Sequence, residues 1–84
     1  MTFAFHSDAA EKILAELTTR EQAAVETVRR SLEGDPGRGR PLPGTDTLTV
    51  EVLPEQTGGR GISVVYRHDA DLDAVLILWL IAGP

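Results

Sequence analysis

Arg60, Tyr66 and Arg67 are side chains whose types could act on a phosphate group. A guanidinium stabilises negative charge that develops at a phosphate, so these residues could form a phosphate site if the fold brings them together. The structural alternative makes Arg60 a solvated turn residue, Arg67 an exposed strand end and Tyr66 a core ring whose hydroxyl reaches water. The sequence favours this alternative and leaves the catalytic one open.

Arg38 and Arg40 lie in residues 34–44, a connecting segment that contains four Gly and three Pro. Together with Arg60 and Arg67, they are candidates for contacting RNA, DNA or an acidic partner. Charges on a solvated loop are the simpler interpretation of Arg38 and Arg40.

Histidine and aspartate residues give weaker signals of chemistry. His6 and His68 lie far apart in the sequence, next to predicted strand ends, so we expect two unrelated surface histidines. Asp69, Asp71 and Asp73 alternate as in a metal-binding loop, but the segment lacks the Gly and the distal Glu of a calcium site. We therefore expect a plain turn, no metal site and no cofactor.

Composition limits the classes of function. A formal net charge of −5 argues against a free-standing nucleic-acid binder held by phosphate contacts. The absence of cysteine excludes disulfides and thiolate metal sites and suits a reducing, cytoplasmic setting. The first six residues show no signal-peptide pattern. The length predicts a single domain spanning residues 1–84.

The most apolar stretch is residues 74–82, whose side chains carry no polar group except the indole N–H of Trp79. Nine residues are too few to span a membrane. The stretch does not alternate between apolar and polar residues, so it predicts a central strand buried on both faces, with Trp79 in the core. Other segments must then cover both faces.

The elements before this strand form a predicted helical hairpin. Residues 2–6 read as a short strand, followed by a helix capped by Ser7 or Asp8. Thr18 and Glu21 form a capping box that begins a second helix. Gly34 is expected to end it in a left-handed conformation.

Two further strands are predicted between the connector and residues 74–82. Residues 47–53 and 62–67 alternate and are joined by a Gly-rich hairpin turn. Leu53 and Val65 fall opposite the main apolar stripes, so we expect them to remain exposed and contribute to a protein interface. The predicted fold is α+β, with order β-α-α-β-β-β and a helical hairpin packed on a mostly antiparallel four-stranded sheet.

Four segments resemble the RelE/ParE superfamily of toxins from toxin–antitoxin pairs. They are LEGDP at 32–36, GRPLPG at 39–44, GISVVY at 61–66 and the apolar strand at 75–81. The resemblance implies a small toxin neutralised by an antitoxin. In the ribonuclease branch it implies metal-independent mRNA cleavage on the ribosome, and in the ParE-like branch inhibition of DNA gyrase.

The sequence departs from the ribonuclease pattern at two places. Ser63 stands where the superfamily's nucleases carry a strand arginine, and the residues after the last strand, Ala82, Gly83 and Pro84, are not ionisable. We therefore expect a toxin or toxin-like protein that acts by binding its target. The alternatives are a ribosome-dependent mRNA endoribonuclease with a rearranged site using Arg60, Arg67 or a histidine, and a non-toxic interaction module.

Overall fold

The computed structural model describes residues 2–83. In this range the elements are β1 (Phe3–His6), α1 (Asp8–Glu16), α2 (Thr19–Gly34), β2 (Arg40–Pro41), β3 (Leu48–Val52), α3 (Pro54–Thr57), β4 (Ile62–Asp69) and β5 (Ala74–Ala82). The predicted α+β class is confirmed. The count of four strands is wrong, because the Pro- and Gly-rich connector contributes the two-residue strand β2. A helical turn, α3, replaces part of the predicted hairpin turn.

The five described strands form one mixed sheet in the order β1-β5-β4-β3-β2. β1 pairs in parallel with β5, whereas the other neighbouring pairs are antiparallel. β5 is therefore an interior strand, bonded to β1 on one side and β4 on the other. The parallel pairing of β1 is possible because the helical hairpin provides the long crossover that parallel neighbours require.

Local capping fixes the helix boundaries. The Ser7 side chain accepts a hydrogen bond from the Ala10 N–H and begins α1. The predicted capping box of Thr18 and Glu21 is present at the start of α2. The prediction of a left-handed stop at Gly34 is wrong, since the glycines with positive φ in the described chain are Gly44 and Gly58.

The end of α2 has a different cause. Asp35 is the C-cap residue, with φ −148°, and Pro36 follows it. A residue before proline is driven out of the helical region by contact with the proline ring, so the helix ends there.

Helices α1 and α2 cover one face of the sheet and form the core with it. The buried apolar residues are Ala4, Ala10, Leu17, Val25, Val28, Leu32, Val50, Val52, Ile62, Val64, Tyr66, Val75, Ile77 and Leu80. We call the other sheet face, which carries no helix, the open face.

Burial of β5 on both faces, as predicted from its sequence, is wrong. Trp79 is 50% exposed and Ile81 is 53% exposed, so Trp79 is not a core residue. A bulge in the pairing with β4 leaves Leu78 without an opposite residue and shifts the alternation of the strand. The side chains that face the helices are Val75, Ile77 and Leu80. Two helices cover a single face, so half of an apolar strand remains exposed.

Candidate functional site

The three catalytic candidates do not meet at one place, and Arg60 has a partner in α2. Its Nε donates to the Glu21 carboxylate over 2.8 Å. Glu21 is itself 5% exposed and caps the first turn of α2. The hydrogen bond from Arg60 lowers the pKa of the Glu21 carboxyl. Arg60 thus joins the segment after α3 to the start of α2, on the helical side of the sheet.

Tyr66 is fully buried, and both hydrogen-bonding functions of its hydroxyl are occupied. The hydroxyl donates to the Pro36 carbonyl oxygen over 2.8 Å and accepts from the Gly39 N–H over 2.9 Å. Burial raises the pKa of the Tyr66 phenol. The core position of the ring is confirmed, whereas the expectation that its hydroxyl reaches water is wrong, because the connector lies over it.

Gly39 allows this close approach of the connector. A Cβ atom at position 39 would lie 2.5 Å from the Tyr66 hydroxyl oxygen and 2.9 Å from the Thr49 carbonyl oxygen. No side chain fits at those distances without moving the backbone. Gly39, the first glycine of the GRPLPG segment, therefore has a packing role.

Arg67 lies on the open face, away from Arg60. Its Cα pairs with that of Leu76 on β5, and its guanidinium lies 3.8 Å from the Asp46 carboxylate. Both side chains are exposed, so this ion pair contributes little to stability. Ser63 lies on the same face and donates to the Glu51 carboxylate over 2.7 Å. Ser63 therefore presents a hydroxyl that is already bonded to a carboxylate.

The open face is largely apolar at its β1–β5 end. The rings of Phe3 and Phe5 stack on each other with centroids 6.3 Å apart, and both are more than half exposed. Trp79 and Ile81 continue the exposed surface along β5. Val65 pairs with Trp79, so it lies on this face as the alternation predicts. Its side chain is half-buried there. The sequence did not identify Phe3, Phe5, Trp79 and Ile81 as an exposed surface, because β5 was expected to be covered on both faces.

Leu53 is 55% exposed at the start of α3 and lines a second surface. A groove of about 560 Å³ runs between α2 and β3, with Arg20 and Arg38 along it. A shallower depression continues from Arg38 to Arg40 at the end of β2. We call these two connected depressions the basic groove. Arg38 and Arg40 thus lie together, as their spacing suggested, and the sequence argument missed Arg20.

The histidines are partly buried, so the expectation of surface histidines is wrong, and the aspartates form a turn. His6 and His68 lie on β1 and β4, on either side of β5. The Asp69 carboxylate accepts from the N–H groups of Asp71 and Leu72 in the β4–β5 turn. Asp73 has a φ of 49° and accepts from the Thr2 hydroxyl. These contacts define a turn, as expected.

Between residues 2 and 83, no helix is long and apolar enough to cross a membrane. Within that range, no group of three or more His, Asp or Glu side chains has the arrangement of a metal site. Pro84, one of the residues that follow β5, lies outside the described residues.

Solved structures that match this chain over nearly its whole length include two toxin–antitoxin complexes. One is to the RelBE2 toxin–antitoxin complex of Mycobacterium tuberculosis, with a TM-score of 0.81, 25% identity and coverage of 96% of both chains. The other is to the intact RelBE complex of E. coli, with a TM-score of 0.81, 14% identity and coverage of 98% of this chain and 96% of that chain. No family model and no curated protein matches the sequence.

Proposed function

We propose, from the RelE-like toxin fold of this chain, that it is the toxin component of a toxin–antitoxin pair and is neutralised by an antitoxin. The observation that carries the proposal is the agreement, over nearly the whole chain, with chains of two toxin–antitoxin complexes. The segments that resemble the superfamily in sequence occupy the end of α2, the connector, β4 and β5. Residues 1–84 would then act as one toxin domain in the cytoplasm.

The toxin would act by binding its target more than by cleaving RNA. Cleavage through the 2′-hydroxyl needs a base, an acid and a cation at the phosphate. Arg60 is bonded to Glu21, the Tyr66 hydroxyl is buried, and Ser63 is bonded to Glu51. The ribosome with its mRNA and DNA gyrase, the targets that the superfamily implies, are the candidates.

The partner-binding residues divide between two surfaces. Val65 and Arg67 belong to the open face, whose exposed aromatic side chains are typical of protein interfaces. Leu53, Arg38 and Arg40 belong to the basic groove. We assign the open face to the antitoxin, because covering it would remove the largest exposed apolar side chains from water.

Inducible expression in a bacterial host tests this proposal. We expect growth to stop after induction and to resume when the small protein encoded by the adjacent reading frame is produced together with the chain. Val25→Asp places a charge in the core and should abolish the arrest by unfolding the protein. A folded, abundant protein that leaves growth unchanged would contradict the toxin assignment and favour a non-toxic interaction module.

A further inference from the structure

β3 has an edge with free backbone groups. β2 pairs with β3 only at Leu48 and Thr49, so in the described chain no strand borders residues 50–52 on that side. The Leu42 N–H donates to the Thr47 carbonyl oxygen across the same edge. Because backbone groups alternate in direction along a strand, the N–H and C=O of Glu51 also face this edge. An exposed edge of this kind can pair with another strand.

The connector leaves this edge open because it is held elsewhere. The Tyr66 hydroxyl binds the backbone at Pro36 and Gly39 and draws residues 36–39 onto the helical side of the sheet. The chain therefore reaches the edge only at Arg40, opposite Thr49.

A groove lies directly beside the free edge. Its α2 wall presents the small side chains of Ala23, Ala24 and Thr27, and its β3 wall presents Val50 and Glu51. Small residues leave room for another backbone to approach. At about 560 Å³, the groove can accept side chains of an extended segment that pairs with β3.

The charges that line the groove favour an acidic segment. Among residues 2–83, the arginines that form ion pairs are Arg29, Arg30, Arg60 and Arg67. Arg20, Arg38 and Arg40 have no carboxylate within 4 Å in that range, and all three line the basic groove. The Glu51 carboxylate nearby is bonded to Ser63. Within the described chain, Arg38 donates only to the Ser31 hydroxyl. In a chain with a net charge of −5, the arginines of the described residues that have no ion pair are thus concentrated beside the free stretch of β3.

We propose that the β3 edge and the basic groove bind an extended acidic peptide as an added strand of the sheet. The peptide backbone would bond the free groups of Glu51, and alternate side chains would point to opposite faces. Acidic side chains on the α2 side would meet Arg20 and Arg38, and those on the other side would meet Arg40. This binding mode goes beyond the proposed function and does not depend on it.

A peptide fits the site better than a nucleic acid does. Phosphate groups could form ion pairs with the arginines, but a free strand edge would not favour their binding. A partner that uses both the arginines and the backbone of Glu51 must carry acidic groups and peptide N–H and C=O groups. The overall negative charge also weakens the long-range attraction of nucleic acid.

Fluorescence anisotropy with two labelled octapeptides tests the proposal. The probes are alternating Val-Glu and alternating Val-Lys, and we expect the acidic one to bind at least tenfold more tightly. Arg20→Glu with Arg38→Glu should weaken that binding at least tenfold. Lys12→Glu with Arg30→Glu makes the same charge change on exposed helix positions away from the groove and should alter binding less than twofold. Equal binding of both peptides would overturn the proposal.

The backbone part of the proposal has its own test. Glu51→Pro removes the N–H that faces the free edge and leaves the pairing of β3 with β4. This variant should therefore also weaken binding of the acidic peptide at least tenfold. Ser63→Ala removes only the contact to the Glu51 side chain and should leave binding unchanged. Hydrogen exchange on the unaltered protein should show the Glu51 amide protected by the peptide. If the peptide left the Glu51 amide unprotected, strand addition would be overturned. It would also be overturned if an eight-nucleotide single-stranded RNA bound more tightly than the acidic peptide and Glu51→Pro did not affect that binding.

Discussion

At the scale of single residues, Tyr66 determines the path of the connector. One hydroxyl satisfies a carbonyl at Pro36 and an N–H at Gly39, 30 and 27 residues away in the sequence. Such contacts cannot be predicted from local pattern, because nothing in the sequence around Tyr66 indicates what lies opposite it. The same holds for Arg60 and Glu21, which are 39 residues apart. The capping box of Thr18 was predictable because both partners lie within one helical turn.

Tyr66→Phe should lower the free energy of unfolding by about 1–3 kcal/mol, because it leaves two backbone groups of the connector without their partner. Denaturant unfolding measures the change. Ser63→Ala removes an exposed hydroxyl contact and should stay within about 0.5 kcal/mol of the original protein. If the two variants were equally stable, the connector would not depend on Tyr66.

His6 should make stability dependent on pH. Burial, and then the positive charge of Arg29, lower the pKa of His6 below its ordinary value of 6.5. The unfolded chain therefore binds a proton at this residue more readily than the folded protein, and stability falls as pH decreases below about 6.5. Glu21 and Glu26 also have lowered pKa values, but carboxyl groups titrate at more acidic pH.

The measurement is the free energy of unfolding between pH 7.5 and 5.5. His6→Gln should flatten the decline in this range, since it removes the titrating group. An unchanged decline in His6→Gln would assign the pH dependence to other residues.

At the scale of elements, β5 shows how far its sequence determined its environment. The apolar run of residues 74–82 predicted an interior strand, and β5 does lie between β1 and β4. The same run could not show which face would be covered, because every side chain in it is apolar. That outcome depends on the number of helices and on the bulge at Leu78.

Ile77→Ala and Trp79→Ala separate the two faces of β5. Ile77 is fully buried, so its truncation should cost about 2–5 kcal/mol of unfolding free energy. Trp79 is half exposed on the open face, so its truncation should cost about 1 kcal/mol or less. Denaturant melts of both variants would give the comparison. A larger loss in Trp79→Ala would mean that the open face is covered within the isolated chain.

At the scale of the whole molecule, the fold presents two separate surfaces for partners. The open face is apolar and aromatic at its β1–β5 end, whereas the basic groove lies beyond β3 at the other end of the sheet. The sequence predicted Val65, Arg38 and Arg40 as surface residues. It could not predict their grouping, which follows from the strand order.

The antitoxin should raise the melting temperature of the chain, and above the dissociation constant the rise should grow with the logarithm of the antitoxin concentration. Phe5→Ser with Trp79→Ser replaces two half-exposed rings and should weaken the complex at least tenfold by titration calorimetry. Leu53→Ser changes an apolar residue that is 55% exposed in the basic groove, away from the open face, and serves as the matched control. If the double variant bound as tightly as the control, the antitoxin would occupy another surface.

The central claim is that the proposed toxin acts by binding its target more than by cutting RNA. Ser63 provides no cation, and Arg60 and Tyr66 are engaged in structural contacts. A positioned acid or base contributes typically about 10²–10⁴-fold to a reaction rate, so the loss of these groups should leave little cleavage.

Primer-extension mapping of a translated message, with purified ribosomes and the purified protein, tests this claim most directly. An active ribonuclease toxin of the superfamily provides the positive control for cleavage. We predict few or no new 5′ ends at protein concentrations that saturate the target. Strong, site-specific cuts that disappear with Arg60→Ala or Arg67→Ala would contradict the claim and show that the active site has been rebuilt around those arginines.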